Sequence, residues 1–163
     1  MKINNNNFLP VSLIFALLFS FATGAFASEQ LEGRVVGVHD GDTLTLLLPE
    51  KKTIKIRLAQ IDAPESKQAF GQVSRQSLAG MTFNKSVVIE KETTDRYGRT
   101  VGTVYVDGLD VNKEQVKNGM AWAYRKYLHD DSIIAMEESA KEGKLGLWAD
   151  PNPVPPWQFR RAK

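Results

Sequence analysis

The sequence predicts an α+β fold in which a small five-stranded β-barrel is braced by about three helices. Three observations carry this. Five short β-type runs follow one another with polar or glycine-containing turns between them, a helical pattern is inserted after the third run, and further helical patterns follow the fifth.

Taken in order, Ser28 to Gly33 reads as a loose leader, and Arg34 to Val38 as the first short strand. The turn His39-Asp40-Gly41-Asp42 leads into a strand from Thr43 to Leu48, and Pro49-Glu50-Lys51-Lys52 turns the chain into a third, Thr53 to Leu58. In that third run Ile54, Ile56 and Leu58 alternate with Lys55, Arg57 and Ala59, so one face packs into a core while Arg57 points the other way. Pro64 fixes an extended geometry at Ala63 and ends the strand. Phe70, Val73, Ser77, Leu78 and Met81 recur at helical spacing, which predicts a helix over Ala69 to Met81. Val87 to Glu90 and Thr100 to Val106 are the last two strands, joined through the polar Asp95-Arg96-Tyr97-Gly98-Arg99. Asn112 with Gln115 reads as a capping box opening a short helix that Gly119 closes. Asp131 or Ser132 caps a longer helix through Glu142, with Ile133, Met136 and Ala140 as its buried stripe. The tail over residues 151–163 is predicted to be an extended, proline-rich strap that lays Trp157 and Phe159 on the domain, because its prolines remove backbone donors. Five strands with helical supports in this order match the OB-fold barrel, here over residues 28–150.

Ahead of the barrel, an apolar segment from Phe8 to about Phe21 ends in Ala25-Phe26-Ala27, the small-residue pattern that signal peptidase cleaves. Residues 1–27 are therefore expected to be a signal peptide, and the product to be secreted or periplasmic. The apolar core is short for a membrane anchor, and no stop-transfer flank follows it. Removing 27 of the 163 residues leaves 136, enough for one core without staples. There is no cysteine, so an oxidising compartment imposes no disulfide chemistry. The net charge is +2, and loss of Lys2 takes it to +1, so binding to a polyanion has to come from a local basic patch.

The chemistry concentrates between Asp40 and Glu65. A hairpin brings its far ends together, so Asp42 at the start of one strand meets Asp62 just past the end of the other, with Glu65 three residues on. Two converging carboxylates, with backbone carbonyls of a Pro-containing loop nearby, form an oxygen-rich pocket suited to calcium. With no thiol and only two histidines, a soft-metal site is disfavoured. His39 beside these acids invites a general-base role, but its spacing suits a turn.

Three spaced motifs carry a resemblance: Val38-His39-Asp40-Gly41-Asp42-Thr43, Arg57 to Glu65, and Thr94-Asp95-Arg96-Tyr97-Gly98-Arg99. With Val111-Asn112, Gly119 and Leu145-Gly146-Leu147-Trp148 following in order, the chain resembles the staphylococcal nuclease family over nearly its whole length after the signal. That resemblance implies one calcium ion held by Asp42, Asp62 and the carbonyl of Ala63, with Arg57 and Arg99 as phosphate clamps and Glu65 activating or orienting water. It implies a calcium-dependent hydrolase that cleaves DNA and RNA with little sequence specificity and leaves 3′-phosphates, with Tyr97 and Tyr124 as candidates to stack bases or to hydrogen-bond a terminal phosphate, which would favour single-stranded or locally melted substrate. A monomer is the default expectation. The alternative is a catalytically inactive OB-fold module that binds single strands or serves as an interaction domain; such members generally lose the acids or arginines that this chain retains. The segment after Glu65 is short, with Lys67 its only basic residue before Phe70, so the mobile lysine-bearing loop of the family looks trimmed.

Overall fold

Alternating apolar and polar residues build two-sided strands, and here the strands close on themselves. The computed structural model describes residues 29–162, so the predicted signal peptide over 1–27 lies outside the described residues. The barrel comprises β1 (Glu29–Val38), β2 (Thr43–Leu47) and β3 (Thr53–Leu58), followed after the bridge β4 (Ile61–Asp62) and the helix α1 (Gly71–Thr82) by β5 (Ser86–Thr94) and β6 (Thr100–Val106). Antiparallel pairing runs β3-β2-β1-β5-β6, and a parallel pairing of β3 with β6, Ile56 opposite Thr100, closes the ring. Inside it Val35, Leu44, Leu46, Ile56, Leu58, Ile89 and Val104 are fully buried, the inward half of the alternation seen in the sequence. The OB-fold expectation holds.

The remaining elements sit against the barrel. A two-residue strand β7 (Leu109–Asp110) pairs back on β6 and runs into α2 (Val111–Lys117); β8 (Trp122–Ala123) pairs with β4; α3 (Ser132–Glu142) packs on α2. The helix α4 (Pro156–Arg161) ends the described chain.

Four local expectations are corrected. The supposed leader is strand: Glu29 to Arg34 pair with Lys91 to Ser86 of β5, which supplies the hydrogen-bonding edge that this polar run lacks in its own composition. On α1 the buried face is Gly71, Ser74, Leu78 and Thr82, and Val73 is 45% exposed, because polar Ser74 turns inward to donate to the Met120 carbonyl. Asn112 does not cap α2. Asp110 does, accepting from the Lys113 amide at 3.0 Å. The tail is not wholly extended: Pro156 stands at the first position of α4, where a missing N–H costs nothing, so the prolines that exclude a helix interior here start a helix.

Asn112 and Gln115 act instead as buried staples. The Asn112 side chain accepts from the Val104 amide at 3.0 Å and donates to the carbonyls of Ala59 and Gly102, joining β6 to the end of β3. Gln115 donates to the Gly41 carbonyl at 2.7 Å and to that of Ser74, and accepts from the Ser77 hydroxyl. Replacing Asn112 by Ala strands buried backbone groups, so Asn112→Ala is expected to cost about 3 kcal/mol, read as a lower urea midpoint with an unchanged m value.

Candidate active site

The register of β2 against β3 places Thr43 opposite Arg57, so the loop residue before Thr43 falls beside the Arg57 side chain. That loop is tightly packed. A Cβ at Gly41 would lie 1.7 Å from Ser74 Oγ and 2.7 Å from Ala63 Cβ, which restricts the position to glycine. The Leu58 amide donates to the Asp42 carbonyl at 2.8 Å, the Asp42 amide to Asp40 Oδ1 at 3.0 Å, and the Gln115 side chain holds Gly41 from the helix side. Asp42 is thus fixed on three sides.

Its carboxylate meets three specific donors. Thr43 Oγ1 donates to Oδ1 at 3.0 Å, the Ala63 amide to Oδ2 at 2.6 Å, and Arg57 Nη2 lies 3.2 Å from Oδ2. The same Arg57 nitrogen donates to Asp62 Oδ1 at 3.1 Å, while Nη1 donates to the Leu58 carbonyl. One guanidinium nitrogen therefore reaches two carboxylates from opposite ends of the hairpin. Asp62 is held in turn by β4 pairing with β8, Asp62 opposite Trp122. Burial, reinforced by the neighbouring Asp42, raises the Asp62 pKa despite its arginine partners, and burial followed by the charge of Asp42 likewise raises that of Asp40.

Glu65 joins this group through a residue that the sequence reading left out. Arg160 of α4 donates from Nη1 to Glu65 Oε1 at 2.8 Å and to Asp62 Oδ1 at 3.2 Å, and from Nη2 to Asp62 Oδ2 at 2.7 Å. The Glu65 amide is tied to Gln68 Oε1. Asp42, Arg57, Asp62, Glu65 and Arg160 all line one cleft of about 910 Å³.

The rim is built differently. Arg99 lines the cleft, but its ion-pair partner is Asp95, Nε to Oδ2 at 2.7 Å, and among the described residues no ion pair links it to Asp42, Asp62 or Glu65. Tyr97 is 69% exposed on the same turn, with the Arg96 and Arg99 guanidiniums 4.8 and 5.7 Å from its ring centre. Tyr124 reaches the cleft with one face stacked on Trp157, centroids 5.8 Å apart at 3°. His39 sits aside, its Nε2 2.7 Å from Thr45 Oγ1.

Residues 55–150 match the family model described as staphylococcal nuclease homologue. A Haemophilus influenzae protein named "Uncharacterized endonuclease" is 46% identical over 150 residues, 91% of this chain and 84% of its own length. A Shigella flexneri "Micrococcal nuclease" is 45% identical over 147 residues, covering 83% of this chain and 84% of the relative. The chain belongs to the staphylococcal nuclease family. The matched span contains Arg57, Asp62, Ala63, Glu65 and Arg99, while Asp42 and Arg160 lie outside it.

Family membership supports nuclease activity, and the donor set can be weighed for the ion that the family implies. Among the described residues no three His, Cys, Asp or Glu side chains meet closely enough to form a metal cage on their own. What the structure provides is two converging carboxylates, Asp42 and Asp62, with the Ala63 amide donating to Asp42; the carboxylate oxygens fit a hard cation when main-chain oxygen and water complete the set. Of the residues predicted for the site, Asp42, Arg57, Asp62 and Ala63 come into direct contact, Glu65 is linked through Arg160, and Arg99, Tyr97 and Tyr124 form the rim.

The rim carries its own pH signature. Burial pushes the Asp95 carboxyl up, but hydrogen bonds from the Arg99 amide and guanidinium and the Tyr97 amide outweigh it and hold the pKa below the ordinary 3.8. A carboxyl depressed in the folded state stabilises above its unfolded pKa, and that contribution is lost as the pH falls through the folded value. Asp95→Asn is therefore expected to be less stable than the parent at neutral pH and to converge with it as the pH drops below 3.8, which urea unfolding at several pH values will measure.

Proposed function

We propose that this protein is a calcium-dependent nuclease that hydrolyses phosphodiester bonds of DNA and RNA with little sequence specificity and leaves 3′-phosphates. The observation that carries the reading is the pair of buried carboxylates, Asp42 and Asp62, sharing one Arg57 nitrogen in a cleft that also presents Glu65 and Arg99. A phosphodiester is an anion that gains negative charge on its non-bridging oxygens during attack, and guanidiniums answer that need with planar, two-bond contacts.

Asp42 and Asp62 through their carboxylates, and Ala63 through its main-chain carbonyl, would hold the calcium ion. When bound, it supplies Lewis-acid stabilisation to a phosphoryl oxygen. Arg57 and Arg99 bind and orient the phosphate from the floor and the rim. Glu65, at the solvent-facing side of the acid group, takes a proton from water as the water oxygen bonds to phosphorus. The bond to the 5′-oxygen breaks, that oxygen is protonated from solvent, and the phosphate stays on the 3′ side. Tyr97 and the half-buried Tyr124 give bases a surface to lie on, which favours single-stranded or locally melted substrate. The protein acts as a monomer after export.

Purified protein assayed on single-stranded and double-stranded DNA and RNA is expected to cleave with calcium and to stop with chelator. Arg57→Ala and Glu65→Gln are each expected to lower kcat by about 10²- to 10³-fold, the loss typical of one stabilising group in the transition state, with circular dichroism unchanged. Full activity in either variant overturns the assigned roles. Export predicts a periplasmic or secreted product whose first residue is Ser28, which N-terminal sequencing of material from intact cells will check.

A further inference from the structure

We propose that Arg160 is a positioning residue of this site and a tethered competitor for its cation: α4 delivers a guanidinium that occupies Asp62 and Glu65, and the protein's affinity for calcium is set by the release of that contact. The inference rests on the calcium reading above. It begins with the oxygens of Asp62, which offer about four acceptor positions in all. Oδ1 accepts from both Arg57 and Arg160, and Oδ2 from Arg160 again, so N–H groups already fill most of the carboxylate. A dication that binds there has to take a position an arginine holds, and it is repelled by whichever guanidinium remains.

The two arginines are not equally able to yield. Arg57 is anchored on β3, 13% exposed, and bonds Asp42 and the Leu58 carbonyl as well as Asp62. Arg160 is 40% exposed and has only Asp62 and Glu65 as ion-pair partners among the described residues. It stands on a six-residue helix that reaches the barrel through Trp157, stacked on Tyr124 and edge-on to Trp122, and through the Gln68 side chain, which donates to the Val154 carbonyl just ahead of it. The group that moves is the one on the tail. Once displaced, Arg160 no longer fixes Glu65, so cation binding and the freeing of Glu65 are one event.

Calorimetric titration of the full chain with calcium chloride, in the absence of nucleic acid, tests this. If the latched form dominates, the apparent Kd is raised by the inverse of the unlatched fraction, so Arg160→Gln is expected to bind calcium about tenfold more tightly than the parent. Arg160→Lys, which keeps the charge and loses the fork, is expected to fall between them. Arg161→Gln removes the same charge from the neighbouring exposed position and is expected to leave the Kd where it was. An unchanged or weaker Kd in Arg160→Gln overturns the proposal, and so does equal tightening in Arg161→Gln, which would reduce the effect to net charge. Absence of calcium binding by the parent and by every variant would overturn the calcium reading itself, a result distinct from calcium binding that ignores Arg160.

Discussion

The structure turns on a buried arrangement of charge: one Arg57 nitrogen between Asp42 and Asp62, where both carboxylates are almost wholly out of solvent. Ionised groups taken into a protein interior pay a desolvation cost that their mutual attraction only partly repays, and well-packed apolar residues would serve stability as well or better. The cost shows in the raised pKa values of Asp40 and Asp62, for which burial is the largest cause. Charge held at such expense against a 910 Å³ cleft points to chemistry as its reason, because a purely structural ion pair has no need to face open space.

The barrel keeps this arrangement in register. Pairing of β2 with β3 sets Thr43 opposite Arg57, parallel closure of β3 on β6 fixes the far end of the same strand, and β4 on β8 fixes Asp62. Helices complete the hold through side chains: Gln115 grips the Gly41 carbonyl and Asn112 ties Ala59 to Gly102 and Val104. With the Gly41 carbonyl held by Gln115 and the Asp42 carbonyl held by the Leu58 amide, Asp42 has no room to swing. These buried, fully bonded amides are the means by which α2, which contributes no charged group to the cleft, sets its geometry.

What a sequence shows of such a site depends on how local the constraint is. Asp42, Arg57 and Asp62 were legible because a hairpin relates them by a short turn and a period of two, and the inward Ile56 and Leu58 leave Arg57 one face to occupy. Asn112 and Gln115 were misleading, since a polar residue three before another reads as a cap unless the strands it reaches are known. The first half of β1 was hidden because Glu29 to Arg34 owe their extended form to β5, some sixty residues away in the chain. Arg160 was out of reach altogether: it meets Asp62 across a separation of 98 residues, from a segment whose prolines argue against a helix until one of them is seen at its first position.

The cleft consequently has a hard side and a soft side. On the barrel side, charges are buried and cross-bonded to backbone, so they are held in one geometry. On the other side Tyr97, the Arg99 to Asp95 pair and Arg160 sit on a turn or on a short helix and are more exposed than Asp42 and Asp62. Under the proposed function, a polymer substrate of varying sequence asks for that division. Its phosphate is always the same and rewards rigid, preorganised groups, whereas its bases differ and are best met by aromatic and cationic side chains that can shift without disturbing the floor.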